Sequence, residues 1–319
     1  MESMDLTPAR EPGYHRPVLL EEVLGFLLPS PGPILDGTVG GGGHARALLD
    51  RDPSLELIAV DRDPEALEEA TTVLAPHAHR VRFVRAEFRD AVEAAEIPGE
   101  VLGGVLLDLG VSSHQLDEDV RGFAFRPGVP LDMRMAGGSS GEASAADLLR
   151  TAEQEELARI FREYGEEPRA RKLAREIVRR RESGESPETS DDLVAALTRS
   201  LGRPARSSEK ARVFQALRIA VNQELEGLVE ALPRFRDALR PTGTLAVIAY
   251  HSLEDRIVKN SFREWSRSCV CPPELPVCRC RGRALGQVLT PRPLRPSTEE
   301  VEDNPRARSA LLRAWRKAA

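Results

Sequence analysis

The residues whose types and spacing carry the most chemistry lie between Ile34 and Asp61. A short apolar run reaches Asp36 and opens into Gly37, Gly40, Gly41, Gly42 and Gly43, and a second apolar run, Leu55 to Val60, ends in Asp61. A ligand lying across a strand-to-helix turn approaches the main chain only where no Cβ intervenes and positive φ is allowed, which glycine provides. An acid at the spacing of Asp61 is where nucleotide-binding βαβ units hold a ribose. Gly40, Gly42 and Ala45 also satisfy G-x-G-x-x-A, so a dinucleotide is one reading of the loop. Asp36 argues for another: an acid just before the loop suits a cationic ligand, such as the sulfonium and amino group of S-adenosylmethionine, better than a pyrophosphate. Asp61 would then accept both ribose hydroxyls. A capped glycine turn without a ligand is the plain alternative.

These residues need strands to hold them. Ile34 to Asp36, Leu55 to Asp61, Val81 to Arg85 and Val105 to Leu109 read as strands separated by helical stretches such as Glu65 to Leu74, after an opening helix through Leu19, Leu20, Val23, Leu24 and Leu27. Alternation of this kind predicts a parallel, doubly wound α/β sheet. Ser112 to Ser144 is loop-like, and the segments after it carry apolar residues at helical spacing only: Leu157 to Tyr164, Ala170 to Val178, and Leu193 to Leu201 behind a candidate N-cap, Ser190. One long helix from Ser208 through Leu232 then leads back to a strand, Thr244 to Tyr250. The helical block therefore reads as an insertion, giving 1–116 and 208–319 as two parts of one domain and 117–207 as an inserted all-helical substrate-recognition domain.

In such sheets the site lies beyond the carboxyl ends of the strands. The Gly40 to His44 loop, Asp61, Asp108 to Ser113 and His251 to Arg256 fall there, although Ser252 and Asp255 also match a helix-capping box. Length, 319 residues, is ample for a core, no apolar run is long enough to cross a bilayer, and Met1 to Glu11 lacks signal-peptide character, so a cytoplasmic protein is expected. Residues 1–150 hold 13 Lys and Arg against 26 Asp and Glu, whereas 151–319 hold 32 against 25. A basic second half suggests phosphate contacts, with Arg179, Arg180 and Arg181 the first candidates and Arg279, Arg281, Arg283, Arg306 and Arg308 the next. Ordinary solvated helix faces look much the same.

Eight ordered motifs go further: His15 to Leu20 (HRPVLL), Asp36 to Thr38 (DGT), Gly41 to His44 (GGGH), Asp61 to Pro64 (DRDP), Leu107 to Ser113 (LDLGVSS), Pro130 to Met135 (PLDMRM), His251 to Arg256 (HSLEDR) and Asn304 to Ser309 (NPRARS). Together they resemble the bacterial RsmH (MraW) family across almost the whole chain. The resemblance implies a Rossmann-like class I methyltransferase that uses S-adenosylmethionine to methylate the exocyclic N4 of a cytidine in the decoding centre, at the P site, of 16S ribosomal RNA, within a small ribosomal subunit or its precursor. It also implies that Gly42, Gly43 and His44 contact the methionine end of the cofactor, Asp61 its ribose and Phe88 its adenine, with Asp108 and Gln115 completing the pocket.

An amino group whose lone pair is delocalised into the ring needs a hydrogen-bond acceptor beside it more than it needs a covalent nucleophile, and Asp108 is the candidate. Related amino-group methyltransferases follow the acid or amide with Pro-Pro-aromatic, whereas this chain has Leu109-Gly110-Val111. A stacking ring would have to come from Tyr250, Phe123 or Phe125. Cys269, Cys271, Cys278 and Cys280 form a compact group able to hold zinc. Their C-x-C spacing is not the usual C-x-x-C and the resemblance requires no metal, so none is assigned. An NAD-dependent oxidoreductase and a noncatalytic RNA-binding protein are the competing classes.

Overall fold

A computed structural model describes residues 17–271 and 279–319, so that His15, Arg16 and Cys278 of the sequence motifs lie outside the described residues. In chain order the elements are α1 (Leu20–Leu27), β1 (Ile34–Asp36), α2 (Gly43–Arg51), β2 (Leu57–Asp61), α3 (Pro64–Val73), β3 (Val81–Arg85), α4 (Ala91–Ala94), β4 (Leu102–Asp108), α5 (Ser113–Asp117), α6 (Ala145–Thr151), α7 (Gln154–Glu163), α8 (Ala170–Glu182), α9 (Ser190–Leu201), α10 (Ser207–Asn222), α11 (Glu224–Ala238), β5 (Leu239–Ala249), α12 (Ser252–Trp265), β6 (Gly286–Val288), α13 (Thr298–Asp303) and β7 (Leu311–Lys317).

The strands form one sheet in the order β3-β2-β1-β4-β5-β7-β6. Neighbouring residues of each strand enter different layers, as continuous apolar strands buried on both faces require. Ile34, Leu57 and Leu106 pack with α1 and α2 through Val23, Leu24 and Leu48. Leu35, Ile58 and Leu107 pack with α11 and α12 through Leu228, Phe235 and Phe262. β1 lies between β2 and β4, so the winding reverses there and a crevice opens at its carboxyl end. This is the expected Rossmann-like class I sheet, with one departure: it is mixed, because β7 runs antiparallel to β5 and β6. Asn304, Arg306 and Ser309 border the crevice at the strands' carboxyl ends, so the chain starts β7 from that end and runs back. No helix among the described residues is long and apolar enough to cross a membrane.

The helices α6 to α10 close around a core of their own, with Leu149, Leu157, Phe161, Leu173, Ile177, Leu193, Leu197, Phe214 and Leu217 fully or nearly buried. Two local expectations change here. Thr189, not Ser190, caps α9, its side chain paired reciprocally with Asp192, while the Ser190 hydroxyl donates to Arg126 O at 2.5 Å. The long helix expected after Ser208 is two, broken at Gln223 with φ 49°. The apolar period runs through the break unaltered, but α10 points its face into the helical core and α11 into the sheet, and a straight helix could not serve both.

Candidate active site

A cavity of about 760 Å³ lies beyond the carboxyl ends of β1, β2, β4 and β5. It brings together Gly43, His44, Asp61, Phe88, Asp108 and Gln115 of the expected site residues, but not Gly42. Gly42 caps α2 with φ 82°, and a Cβ there would come within 3.4 Å of Ala70 on α3, so its freedom serves the turn and not the cavity wall. Gly43 does face the wall. A Cβ on it would stand 2.7 Å from the Pro17 ring, which packs directly over the start of α2.

Three carboxyl groups surround this loop, and their positions differ. Asp61 ends β2 on the cavity wall, its Oδ2 accepting the Gly40 N–H and its Oδ1 the Asp63 N–H, both at 2.9 Å. Burial pushes its pKa up, against those two amides. Asp36 was expected beside the ligand; it lies beneath the loop instead, 1% exposed, with Oδ1 accepting the Thr38 N–H at 3.2 Å. Burial, with further contributions from Asp108 and Asp61, raises its pKa to about 8. Among the described residues none of Asp36, Asp61 and Asp108 has an Arg or Lys ion-pair partner.

Asp108 is fixed from three sides. Its N–H donates to Thr38 Oγ1 at 2.7 Å, the Tyr250 hydroxyl donates to its Oδ1 at 2.9 Å, and His44 Nδ1 stands 3.8 Å from its Oδ2. His44 Nε2 is 2.9 Å from Val18 O, which can only accept, so that nitrogen carries a proton. Burial raises the Asp108 pKa, opposed by His44 and by the tyrosine hydrogen bond. Of the three rings considered for stacking, only Tyr250 lines the cavity. Phe123 is buried in the helical core, and Phe125 packs edge-on against Phe214 with centroids 5.7 Å apart.

Gln115 lines the cavity, yet its amide is committed to bracing it. Oε1 accepts the Ser112 N–H at 3.0 Å, and Nε2 donates to Asp63 Oδ2 at 2.8 Å and to Met135 O at 3.3 Å. Asp63 also receives Arg121 Nη2 at 2.6 Å, a cation that neighbouring Asp61 lacks. The HSLEDR segment caps α12 one residue earlier than expected: His251 and Glu254 form the box, whereas Asp255 holds Arg313 of β7 at 2.6 and 3.0 Å. Glu254 Oε2 also accepts the Tyr250 N–H at 2.9 Å, so the cap fixes the residue that holds Asp108.

The far wall was not foreseen. Arg218 grips Glu224 through two hydrogen bonds of 2.9 Å across the α10–α11 break. Asn222 accepts the Met135 N–H at 2.8 Å and donates to Met133 O at 2.7 Å, tying the PLDMRM segment to the same break. A helix-surface pair is legible at a spacing of three or four, but Arg218 and Glu224 meet at six only because the helix is interrupted.

The cavity holds the groups that S-adenosylmethionine would need: Gly40, Gly41 and Gly43, which leave the main chain open, the Asp61 carboxylate, the Phe88 ring, and the Asp108 carboxyl without an Arg or Lys partner among the described residues. A family model described as the MraW methylase family matches residues 13–318. A relative from Gemmatimonas aurantiaca named "Ribosomal RNA small subunit methyltransferase H" is 50% identical over 307 residues, covering 96% of each chain. Relatives of the same name from Syntrophotalea carbinolica and Heliobacterium mobile are 49% and 47% identical, covering 97% and 95% of this chain and 99% of their own. Motifs, sheet order and a match from end to end agree, and the chain belongs to the MraW methylase family, whose methyl donor is S-adenosylmethionine.

Proposed function

We propose that the chain is a cytoplasmic enzyme that methylates the exocyclic N4 of a cytidine in the P-site region of 16S rRNA. The observation that carries this reading is Asp108, a carboxylate at the end of β4 that is held by Tyr250 and Thr38 and open to the cavity. When bound, S-adenosylmethionine supplies a methyl group on a positively charged sulfur. Asp108 accepts a hydrogen bond from the cytosine amino group, draws its lone pair out of the ring's conjugation, and receives the proton shed once nitrogen is alkylated. Positioning of this kind contributes on the order of 7–11 kcal/mol. Tyr250 offers its ring edge or face to the base while its hydroxyl fixes Asp108.

The relatives' name supports small-subunit rRNA as the substrate. The separate core of α6–α10 supports 117–207 as the part that presents RNA, set between 1–116 and 208–319, with α10 joining it by packing. The dinucleotide reading loses ground because Gly42, second in G-x-G-x-x-A, turns toward α3 and away from the cavity. Nucleoside mass spectrometry of small-subunit rRNA tests the reaction: cells lacking the protein should lose one N4-methylated cytidine and regain it with the parent gene. Restoration of a methyl at carbon 5 or on a ribose would overturn the N4 assignment.

A further inference from the structure

Beyond the C-terminal end of α12 the chain doubles back, and Cys269, Cys271 and Cys280 converge with their sulfur atoms within 4.8 Å of one another. This lies far from the cofactor cavity: α12 starts at the cavity and its fourteen residues carry the chain about 21 Å away. Leu285 N–H donates to Trp265 O at 2.8 Å, so the returning strand is anchored beside the helix end.

The sulfur geometry is specific. Cys280 Sγ and Cys269 Sγ are 3.8 Å apart, far beyond the roughly 2.05 Å of a disulfide. Four sulfurs arranged tetrahedrally about zinc at about 2.3 Å stand about 3.8 Å from one another. Two main-chain amides are aimed at the sulfurs, Val270 N–H at Cys280 Sγ (3.3 Å) and Arg279 N–H at Cys271 Sγ (3.4 Å). Such donors orient metal-ligating atoms. Three thiolates around Zn²⁺ leave one net negative charge, and Arg267, Arg279, Arg281 and Arg283 supply positive charge in the same stretch. Arg281 already fastens the returning strand to the helix end, Nη2 donating to Glu264 O and Arg267 O at 2.5 and 3.1 Å.

The geometry points to a structural zinc ion held by the thiolates of Cys269, Cys271 and Cys280, pinning the arginine-bearing turn to the end of α12 and the sheet edge. Binding releases the thiol protons and changes no oxidation state. The ion takes no part in methyl transfer, so its test is metal content and spectroscopy.

The full-length protein, reconstituted with zinc under reducing conditions and desalted, should carry about one zinc per chain by atomic absorption. The triple variant C269S/C271S/C280S should carry about tenfold less. Cobalt in place of zinc should give sulfur-to-cobalt charge-transfer bands with the intensity of three or four thiolates. Zinc content unchanged in the variant would move the metal to the Glu224, His251 and Glu254 group, whose ligand atoms also converge, and would overturn the proposal. So would a parent protein that holds no zinc, or cobalt bands of two thiolates or fewer. Should the triple variant fail to fold, mercurial titration of the intact parent decides: zinc released in step with thiol capping supports the site, and release without dependence on thiols refutes it.

Discussion

Three aspartates around the cofactor loop and the acids of the helical block are treated in opposite ways. Around the cavity, burial raises the pKa values of Asp36, Asp61 and Asp108, and no arginine or lysine answers them among the described residues. In the helical block, hydrogen bonds from Arg179, with Arg180 beside it, hold Glu176 down at about 2, and Arg159 lowers Glu156. The chain has 45 basic residues, so cations are not scarce. They are kept from these three aspartates, whereas Asp63, two residues from Asp61, has Arg121 and Glu224 on the cavity's far wall has Arg218. Asp63 and Glu224 come with their counter-charge, whereas Asp36, Asp61 and Asp108 have no Arg or Lys ion-pair partner among the described residues. The family's methyl donor, S-adenosylmethionine, is itself a cation.

The sharpest way to break this contrast is Asp108→Asn. The amide keeps the size and can still meet Tyr250, but it cannot receive a proton. Single-turnover methylation should fall about 10²- to 10⁴-fold, with RNA affinity changed far less. Equal rates in the two proteins would reduce Asp108 to a cofactor contact. Asp61→Ala comes next. Loss of the ribose acceptor should weaken S-adenosylmethionine binding by about 1.5–3 kcal/mol in calorimetry, and an unaltered affinity in a folded variant would remove Asp61 from the ribose.

Asp36 sharpens the comparison through pH. Its folded pKa, about 8, lies above the ordinary 3.8, so the folded protein binds more protons at this site than the unfolded chain does. Its contribution to stability is therefore full below about pH 4 and is lost as pH rises toward 8, by at most about 1.4 kcal/mol per pH unit. Asp36→Asn keeps an acceptor for Thr38 N–H and should flatten that decline in denaturant titrations at several pH values. A cationic ligand favours the ionised carboxyl, so cofactor affinity in the parent should rise with pH on the approach to 8 and do so less in the variant. Identical profiles would mean that Asp36 ionises normally.

How much of this could be read from the sequence depended on the range of the interactions. β1, buried throughout, and β3, a half-exposed edge strand, have the limits the apolar runs gave them, because a short apolar run is a local signal. β4 begins at Leu102, earlier than expected, since Gly103 and Gly104 look like a turn but sit in the strand. β7 was missed: Arg313 breaks its apolar pattern, and only the fold supplies Asp255 as the partner of that buried guanidinium. The glycine loop, Asp61 and Asp108 are consecutive features of strand ends and were legible. Arg218, Glu224 and Asn222 reach the cavity through a single left-handed residue, Gln223, which leaves the helical period intact and so leaves no trace in it.

The smallest effect concerns Arg179, Arg180 and Arg181, the first candidates for phosphate contacts. Arg179 Nη2 and Arg180 Nε reach Glu176 at 2.7 and 3.1 Å. Arg181 donates to Ala152 O at 2.5 Å and to Arg150 O at 3.4 Å, satisfying carbonyls left open at the end of α6. On this geometry the cluster is structural, and replacing all three with alanine should leave the salt dependence of RNA binding unchanged. The measurable cost should fall on folding, about 0.5–1.5 kcal/mol from the lost Arg181 hydrogen bonds. Three phosphate contacts to single-stranded RNA would instead lower the slope of log K against log salt by about 2. A drop of that size would erase the distinction between the two regions, since arginines already committed to Glu176 would also be serving a ligand. An unchanged slope would direct attention to Arg306, which lines the cavity and holds Asp117 at 2.6 Å, as one of the cations at the cavity border.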